Sequence, residues 1–349
     1  MRWAFVNGGP ARLLVAGLGG LLAACSGGGD SNDRLVDYQR ELARRLDLAP
    51  PTPAAPDNIG AFPGPRERLV VIPETREGLL NVFALRECHI TTLVAERNST
   101  LGRVAPASQV WRYELTLWQR LSDCLESEVP ERLADADRER LERLTRTKTE
   151  QLPRAAWNGL FGSEEWAGSF SRVSAPLPAD ALAPPEAQLA ALAYLQALTD
   201  LPAQTDSAAN DVPPPDPEAL EGHLRALNER PYTAELLRTL VLATQRLEEA
   251  SALAERALAR HDGCLTLALE EAEHDEWLAQ WLEALSGAAQ AWLAGLEPLF
   301  GSLDSPPDAV SAYHREWLSR ESAAAPLPAF EAARDHHQAL RSTLAERCR

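Results

Sequence analysis

Apolar residues recur in this chain at alternating steps of four and three, the period of an α-helix. The longest example runs from Thr233 to Leu258, where positions 233, 237, 240, 244, 247, 251, 254 and 258 are Thr, Leu, Leu, Thr, Leu, Ser, Ala and Leu. Alanine, leucine, glutamate and arginine dominate, and the alternation typical of strands is almost absent. We therefore predict an all-α fold, a multi-helix bundle that forms either two helical lobes or one continuous bundle and is stapled by disulfides.

The same periodicity places the individual helices. Residues 50–65 are proline-rich and are predicted to be extended and packed along the surface, and residues 153–185 have a mixed pattern. Helices are expected over about 33–48, 75–98, 108–126, 130–149, 184–198, 233–258, 264–300, 308–321 and 328–347.

Proline also suggests where the chain divides. Residues 200–217 contain Pro213-Pro214-Pro215 and lack periodicity. We predict an N-terminal helical lobe over residues 32–200 and a C-terminal helical lobe over residues 216–349.

The N-terminus has the features of a bacterial lipoprotein signal. Arg2 and Arg12 precede an apolar run that ends at Leu22 and is too short to span a bilayer. Leu22-Ala23-Ala24-Cys25 looks like a lipobox, in which the cysteine thiol receives the lipid. We predict a signal peptide over 1–24, lipidation of Cys25 and a flexible tether over 25–31. Ser26 resembles the residue found at this position in lipoproteins sorted to the outer membrane, so we expect an anchor on its periplasmic face.

Charge argues against several classes of function. The chain has 34 basic and 51 acidic residues, and residues 1–24 hold two arginines and no acids, which leaves 32 against 51, or −19, after cleavage. Such a surface repels phosphate, so we expect no nucleic-acid partner. Lys148 is the only lysine, which nearly excludes mechanisms that need a lysine base, Schiff base or P-loop lysine. No motif for a cofactor occurs, and none is predicted.

Four further cysteines allow three disulfide pairings. We favour Cys88–Cys124, because an antiparallel pair of helices would bring them level, and Cys264–Cys348, which would secure the last helix. No metal site is predicted: no Cys-x-x-Cys pair exists, Glu271-x-x-His274 has no second copy, and the adjacent His336 and His337 point in different directions on a helix.

A polar cluster stands out between the first two of these cysteines. Glu96, Arg97, Asn98 and Ser99 precede Gly102, and Tyr113-Glu114 follows. Arg97 could bind a carboxylate or phosphate and Glu96 could act as a base. The alternative, which we favour, is a structural network at a helix end.

These residues also carry a resemblance. The Glu96–Ser99 run, Leu101-Gly102 and Tyr113-Glu114, with flanking Cys88 and Cys124, resemble a family of Gram-negative lipoproteins, domain of unknown function 3080. Trp157-Asn158 and Tyr313-His314 with Trp317 are similar to it too. The resemblance covers most of the chain after the signal and implies no activity.

Three functions stay open at this point. The first is a non-enzymatic structural or interaction lipoprotein with an envelope protein or glycan as its partner. The second is an envelope hydrolase that uses Glu96 and Arg97. The third is a small-ligand or lipid binder with a tryptophan-lined cavity, although the tryptophan stripes fit a core better.

Overall fold

A computed structural model describes residues 30–201, 216–260 and 273–347, and every regular element within them is helical. The all-α prediction is confirmed. The long helices are α1 (Ser31–Arg45), α6 (Ala107–Glu126), α8 (Asp135–Phe161), α10 (Glu186–Thr199), α12 (Tyr232–Ala259), α13 (Glu273–Phe300) and α15 (Pro326–Arg347).

Shorter helices connect the long ones. They are α2 (Pro65–Arg68), α3 (Leu79–Ala84), α4 (Thr91–Asn98), α5 (Thr100–Arg103), α7 (Val129–Arg132), α9 (Glu164–Gly168), α11 (Leu220–Asn228) and α14 (Asp308–Tyr313). Two 3₁₀ turns, Arg86–Cys88 and Pro217–Ala219, and a π-helical turn, His314–Leu318, complete the described elements. Among the residues that the structure describes, no helix is long and apolar enough to cross a bilayer.

Helix α12 lies at the centre of the main core. Its buried residues occupy most of its circumference, from Tyr232 to Ala257, because α1, α13 and α15 all pack against it. The apolar cluster around it extends from Leu35 to Leu344 and draws on helices of both predicted lobes. The division into lobes itself stays a prediction, and its proposed boundary falls largely within residues that are not described.

A second, smaller core surrounds a disulfide. Cys88 and Cys124 are bonded with their Cα atoms 5.2 Å apart, which confirms this pairing. Val82, Leu85 and Ile90 pack there against residues of α6 and α8. The predicted Cys264–Cys348 pair, Cys25, residues 1–24 and most of the tether lie outside the described residues.

The helix predicted over residues 75–98 is wrong as a single element. Helix α3 begins only after Gly78, and the Arg86–Cys88 turn ends at His89, whose φ of 57° is left-handed. A left-handed residue cannot continue a right-handed helix, so α4 starts afresh at Thr91. The disulfide to α6 and the burial of Leu85 and Ile90 hold this broken path in place.

Helix α8 is longer than predicted because it continues through Pro153 to Phe161. A proline inside a helix removes one backbone hydrogen bond and costs about 3 kcal/mol. The last turns after Pro153 bury Trp157, Leu160 and Phe161, all at most 1% exposed. Fully burying each such side chain contributes about 1.5–3 kcal/mol, so packing outweighs the proline.

The proline-rich segment before α2 packs on the surface as predicted and has no regular structure. Ile59 is buried in the main core, and a Cβ on Gly60 would stand 2.4 Å from Nε1 of Trp317, so only glycine fits. At the last residue of α2, Trp157 donates its indole N–H to the carbonyl of Arg68 at 2.7 Å. The amide side chain of Asn158 bonds both the N–H and the carbonyl of Val70, at 2.9 and 2.8 Å.

Candidate functional site

A groove of about 650 Å³ separates α13 from α15. Helix α13 contributes residues one turn apart, and α15 contributes a stripe at helical spacing. The lining residues are Leu278, Ala279, Leu282 and Glu283 of α13, and Arg334, His337, Gln338, Arg341, Ser342 and Ala345 of α15. The buried residues Leu278, Leu282 and His337 form the floor of the groove, and the walls are charged, polar and alanine residues that reach solvent.

His337 is the buried polar residue of this floor. It is 3% exposed, and its Nε2 lies 2.6 Å from the hydroxyl of Tyr38 on α1, while its Nδ1 lies 3.2 Å from Oγ of Ser251 on α12. Burial lowers the pKa of His337 to about 4 and raises the pKa of Tyr38 to about 12. Both groups are therefore neutral at physiological pH.

A chain of charges runs beside this pair. Asp275 of α13 accepts from Arg341 at 2.9 Å and from Arg45 of α1 at 2.8 Å, and Arg45 also pairs with Glu41 at 3.0 Å. Asp275 and Arg45 are largely buried. One carboxylate thus serves two guanidinium groups, and Glu41 supplies Arg45 with a second carboxylate.

The arrangement suits binding better than catalysis. Ser251 and Tyr38 are each at most 3% exposed, so neither hydroxyl can meet a substrate in the groove. Both ring nitrogens of His337 already have partners, so the ring has no free position for accepting a proton from a ligand. Among the described residues, no group of three or more His, Cys, Asp or Glu side chains could hold a metal ion.

The structure does not bring the residues of the predicted polar cluster together in one site. Arg97 donates to the carbonyl of Gly102 and lies 5.9 Å from the ring centre of Tyr113. Asn98 donates back to the carbonyl of Val94 at 2.8 Å, and Oγ of Ser99 accepts from the N–H of Gly102 at 3.0 Å. These bonds tie the end of α4 to the start of α5, which favours the structural interpretation of Arg97, Asn98 and Ser99.

The remaining members point elsewhere. Glu114 pairs with Lys148 of α8 at 2.8 Å, and burial raises the pKa of Tyr113 to about 12. Glu96 is exposed and lines a separate polar depression of about 360 Å³ with Arg86, His89, Thr91, Thr92, Leu93 and Arg120. Arg97 does not line this depression. In the hydrolase hypothesis, Glu96 would therefore have to act without Arg97 beside the substrate.

Several other candidates are placed by the structure. His336 is exposed and faces Glu255 at 3.3 Å, whereas His337 points into the core, so the adjacent histidines do diverge. Glu271 lies outside the described residues, and the side chain of His274 is not described. The tryptophan stripes belong to the core: Trp111 and Trp118 on α6 and Trp281 and Trp292 on α13 are at most 5% exposed.

The groove was missed by the sequence analysis. Its two sides are more than 50 residues apart in the chain, and His337 meets partners 299 and 86 residues away. The only local signal is the spacing of Arg334, His337, Arg341 and Ala345, which gives α15 a stripe that is neither apolar nor uniformly charged.

Comparison with protein families gives one match. A family model described as a protein of unknown function (DUF3080) matches residues 35–349, nearly the whole chain. The chain belongs to the DUF3080 family. A comparison with curated proteins gave no match, and neither did a comparison with solved structures.

Most of the residues by which the sequence resembles DUF3080 make structural contacts within the fold. Trp157 and Asn158 fasten the segment after α2, and Trp317 covers Gly60. Tyr313 is buried against Phe62 and Phe170. His314 stacks on Phe300 with ring centres 5.1 Å apart.

Proposed function

We propose that this DUF3080 protein is a lipoprotein anchored through Cys25 to the periplasmic face of the outer membrane, with a non-enzymatic binding role in the envelope. The groove between α13 and α15 holds the component that it binds. The observation that carries the binding role is this groove, whose volume lies within the range of about 300–1,000 Å³ that is usual for small-molecule sites.

The anchor rests on the sequence around Cys25. Three acyl chains, each methylene contributing about 0.8 kcal/mol, would attach the protein to the membrane permanently. Cells fed labelled palmitate should label the protein, and Cys25→Ser should abolish the label and release the protein from the outer-membrane fraction. Equal labelling of the two forms would remove the lipoprotein assignment.

The binding role is tested in living cells with a photo-reactive amino acid. Ala279 is exposed and lines the groove, and Ala284 is exposed on the same helix but does not line it. We expect benzoyl-phenylalanine at position 279 to form a covalent adduct with an envelope component under ultraviolet light. Position 284 is the matched control. If position 279 gives no adduct above the level at position 284, the groove is not a binding site and the proposed function fails.

A further inference from the structure

Helix α3 presents an apolar face to solvent, formed by Leu79, Leu80 and Phe83. Leu79 and Leu80 are 81% and 82% exposed, and Phe83, one turn further on, is 55% exposed. Val82 of the same helix is buried in the small core, so packing fixes the outward direction of the other three side chains. Neighbouring apolar side chains exposed to this extent are typical of a surface that contacts a membrane or another molecule.

The polar depression of about 360 Å³ adjoins this apolar face. Arg86 connects the two, because it lines the depression while its guanidinium lies 5.1 Å from the ring centre of Phe83. Arg120 of α6 lines the same depression, and its guanidinium donates to the carbonyl of His89 at 2.5 Å. The exposed apolar side chains therefore stand beside a pocket that contains two arginines.

The charges of the depression are not balanced within the described part of the chain. Neither Arg86 nor Arg120 forms an ion pair with a carboxylate there, and Glu96 is the only acidic residue that lines the depression. Oγ1 of Thr91, another lining residue, is buried without a hydrogen-bond partner. The first three N–H groups of α4 also border the depression and have no partner within the helix. Positive charge and unused donors thus collect here, on a chain whose net charge is −17.

This combination selects the chemistry of the occupant. Guanidinium groups that lack a carboxylate bind phosphate through paired, charge-assisted hydrogen bonds. A soluble phosphate would leave the apolar face of α3 in water, and an apolar protein surface would leave the two guanidinium groups without an acceptor. A phospholipid meets both requirements, because its phosphate lies directly above hydrocarbon. Surfaces that combine arginine with leucine and phenylalanine bind at this boundary.

We propose that this surface binds a phospholipid membrane. A head-group phosphate lies on Arg86 and Arg120, and the apolar face of α3 enters the acyl region. Glu96 accepts a hydrogen bond from the amine or hydroxyl group of the same head group. Such binding requires neither the groove between α13 and α15 nor lipidation of the chain, so it goes beyond the proposed function.

The contact is tested in living cells with benzoyl-phenylalanine at position 80 of the full-length protein. We expect ultraviolet light to join this position to a phospholipid, which mass spectrometry identifies from the mass of the adduct. Position 284 on α13, which is exposed and does not line the depression, is the control. A phospholipid adduct no stronger at position 80 than at position 284 would overturn the proposal. An adduct with a protein instead would do the same, because it would make the apolar face a protein-docking surface.

Substitutions connect the adduct at position 80 to the pocket and to the apolar face. Arg86→Ala combined with Arg120→Ala should reduce it about tenfold, the usual effect of losing charge-assisted hydrogen bonds. Arg66→Ala removes an exposed arginine outside the depression and should have no effect. Leu79→Asp should also reduce the adduct, whereas Val173→Asp, at a side chain that is 94% exposed on another segment, should not. Equal losses in the test and control variants would overturn the proposal.

Misfolding of the arginine variant is detected separately. Each variant is compared with the wild type for the Cys88–Cys124 disulfide and for resistance to protease. Leu79→Asp changes a side chain outside the small core, so it decides the matter if the arginine variant is unstable. An unchanged phospholipid adduct in a folded Leu79→Asp protein would exclude the apolar face of α3 as the membrane contact.

Discussion

The buried histidine of the groove floor makes a pH-dependent contribution to stability. His337 is neutral in the fold with a pKa of about 4, whereas an unfolded chain gives histidine a pKa of about 6.5. Between these two values the unfolded state binds the extra proton. The contribution is therefore complete above about pH 6.5 and is lost as the pH falls toward 4.

This linkage can be measured with urea. At about 1.4 kcal/mol per pKa unit, the free energy of unfolding should fall by about 3 kcal/mol between pH 7 and pH 4 through His337 alone. His337→Gln should be less stable than the wild type at pH 7 but lose less stability on acidification. Parallel pH profiles for the two proteins would show that another group controls the loss.

Gly102 is a second residue with a defined physical role. A Cβ at this position would stand 2.3 Å from the carbonyl oxygen of Glu96 and 2.6 Å from that of Arg97, both backbone atoms. We expect Gly102→Ala to lower the free energy of unfolding by about 1–3 kcal/mol, the usual result of forcing atoms into occupied space. The measurement is chemical denaturation.

Gly287 on α13 provides the control for this substitution. Beyond the neighbouring backbone of its own helix, no described atom lies within 4 Å of a Cβ built there, and the residue is exposed. Gly287→Ala should therefore raise stability by about 0.5–1 kcal/mol, because alanine favours the helix. If both substitutions change the free energy of unfolding by the same amount, the close backbone contacts at Gly102 do not contribute to the effect of its substitution.

At the scale of elements, the sequence predicted those helices whose pattern is local. The stripe Trp111, Leu115, Trp118 and Leu121 gave α6 to within a residue of Ala107–Glu126. The ends of helix α12 were also predicted to within a residue, but the sequence pattern identified only one of its buried faces. Leu236, Leu242 and Leu253 are also buried there, off the predicted seam, because helices pack on several sides. Periodicity reports one face and cannot report how many neighbours a helix has.

Elements fixed by distant contacts were predicted poorly. The break at His89 depends on the bond from Cys88 to Cys124, and the passage of α8 through Pro153 depends on packing of its last turns against the main core. The π-helical turn His314–Leu318, in a segment predicted as one helix over 308–321, places Trp317 over Gly60. The polar segment 96–103 was identified correctly as distinctive, yet its neighbours could not be derived without the fold.

The disulfide can be removed to test how strongly it holds the Arg86–Cys88 turn to α6. Its loop closes over a sequence separation of 36, for which the chain-entropy model gives about 3–4 kcal/mol. Cys88→Ser with Cys124→Ser should lower the free energy of unfolding by about that amount. A loss below about 1 kcal/mol would mean that the small core around the disulfide holds the turn against α6 without the bond.

At the scale of the whole molecule, stability should be uneven. The main core surrounds α12, whereas the small core joins α6 and α8 to short helices that leave Leu79, Leu80 and Phe83 more than half exposed. Segments with fewer buried contacts open at lower free energy.

Hydrogen exchange resolves this difference. We expect the backbone amides of α12 to exchange slowest among the described residues and those of residues 79–104 to exchange faster. The double serine variant should accelerate the second group and leave α12 unchanged. Exchange that accelerates equally in both regions would indicate a single cooperative unit.

The ion pair between Glu114 and Lys148 has a practical consequence for chemical labelling and cross-linking of the protein. The only lysine ammonium of the chain is 11% exposed and held at 2.8 Å by a carboxylate. Reagents that acylate amines, including the succinimidyl esters used to map protein neighbourhoods, find almost no side chain to attack. Cross-linking surveys that use such esters would therefore miss the binding partners of this protein. Carboxylate-directed cross-linkers, which have 51 acidic residues as targets, would detect those partners more reliably.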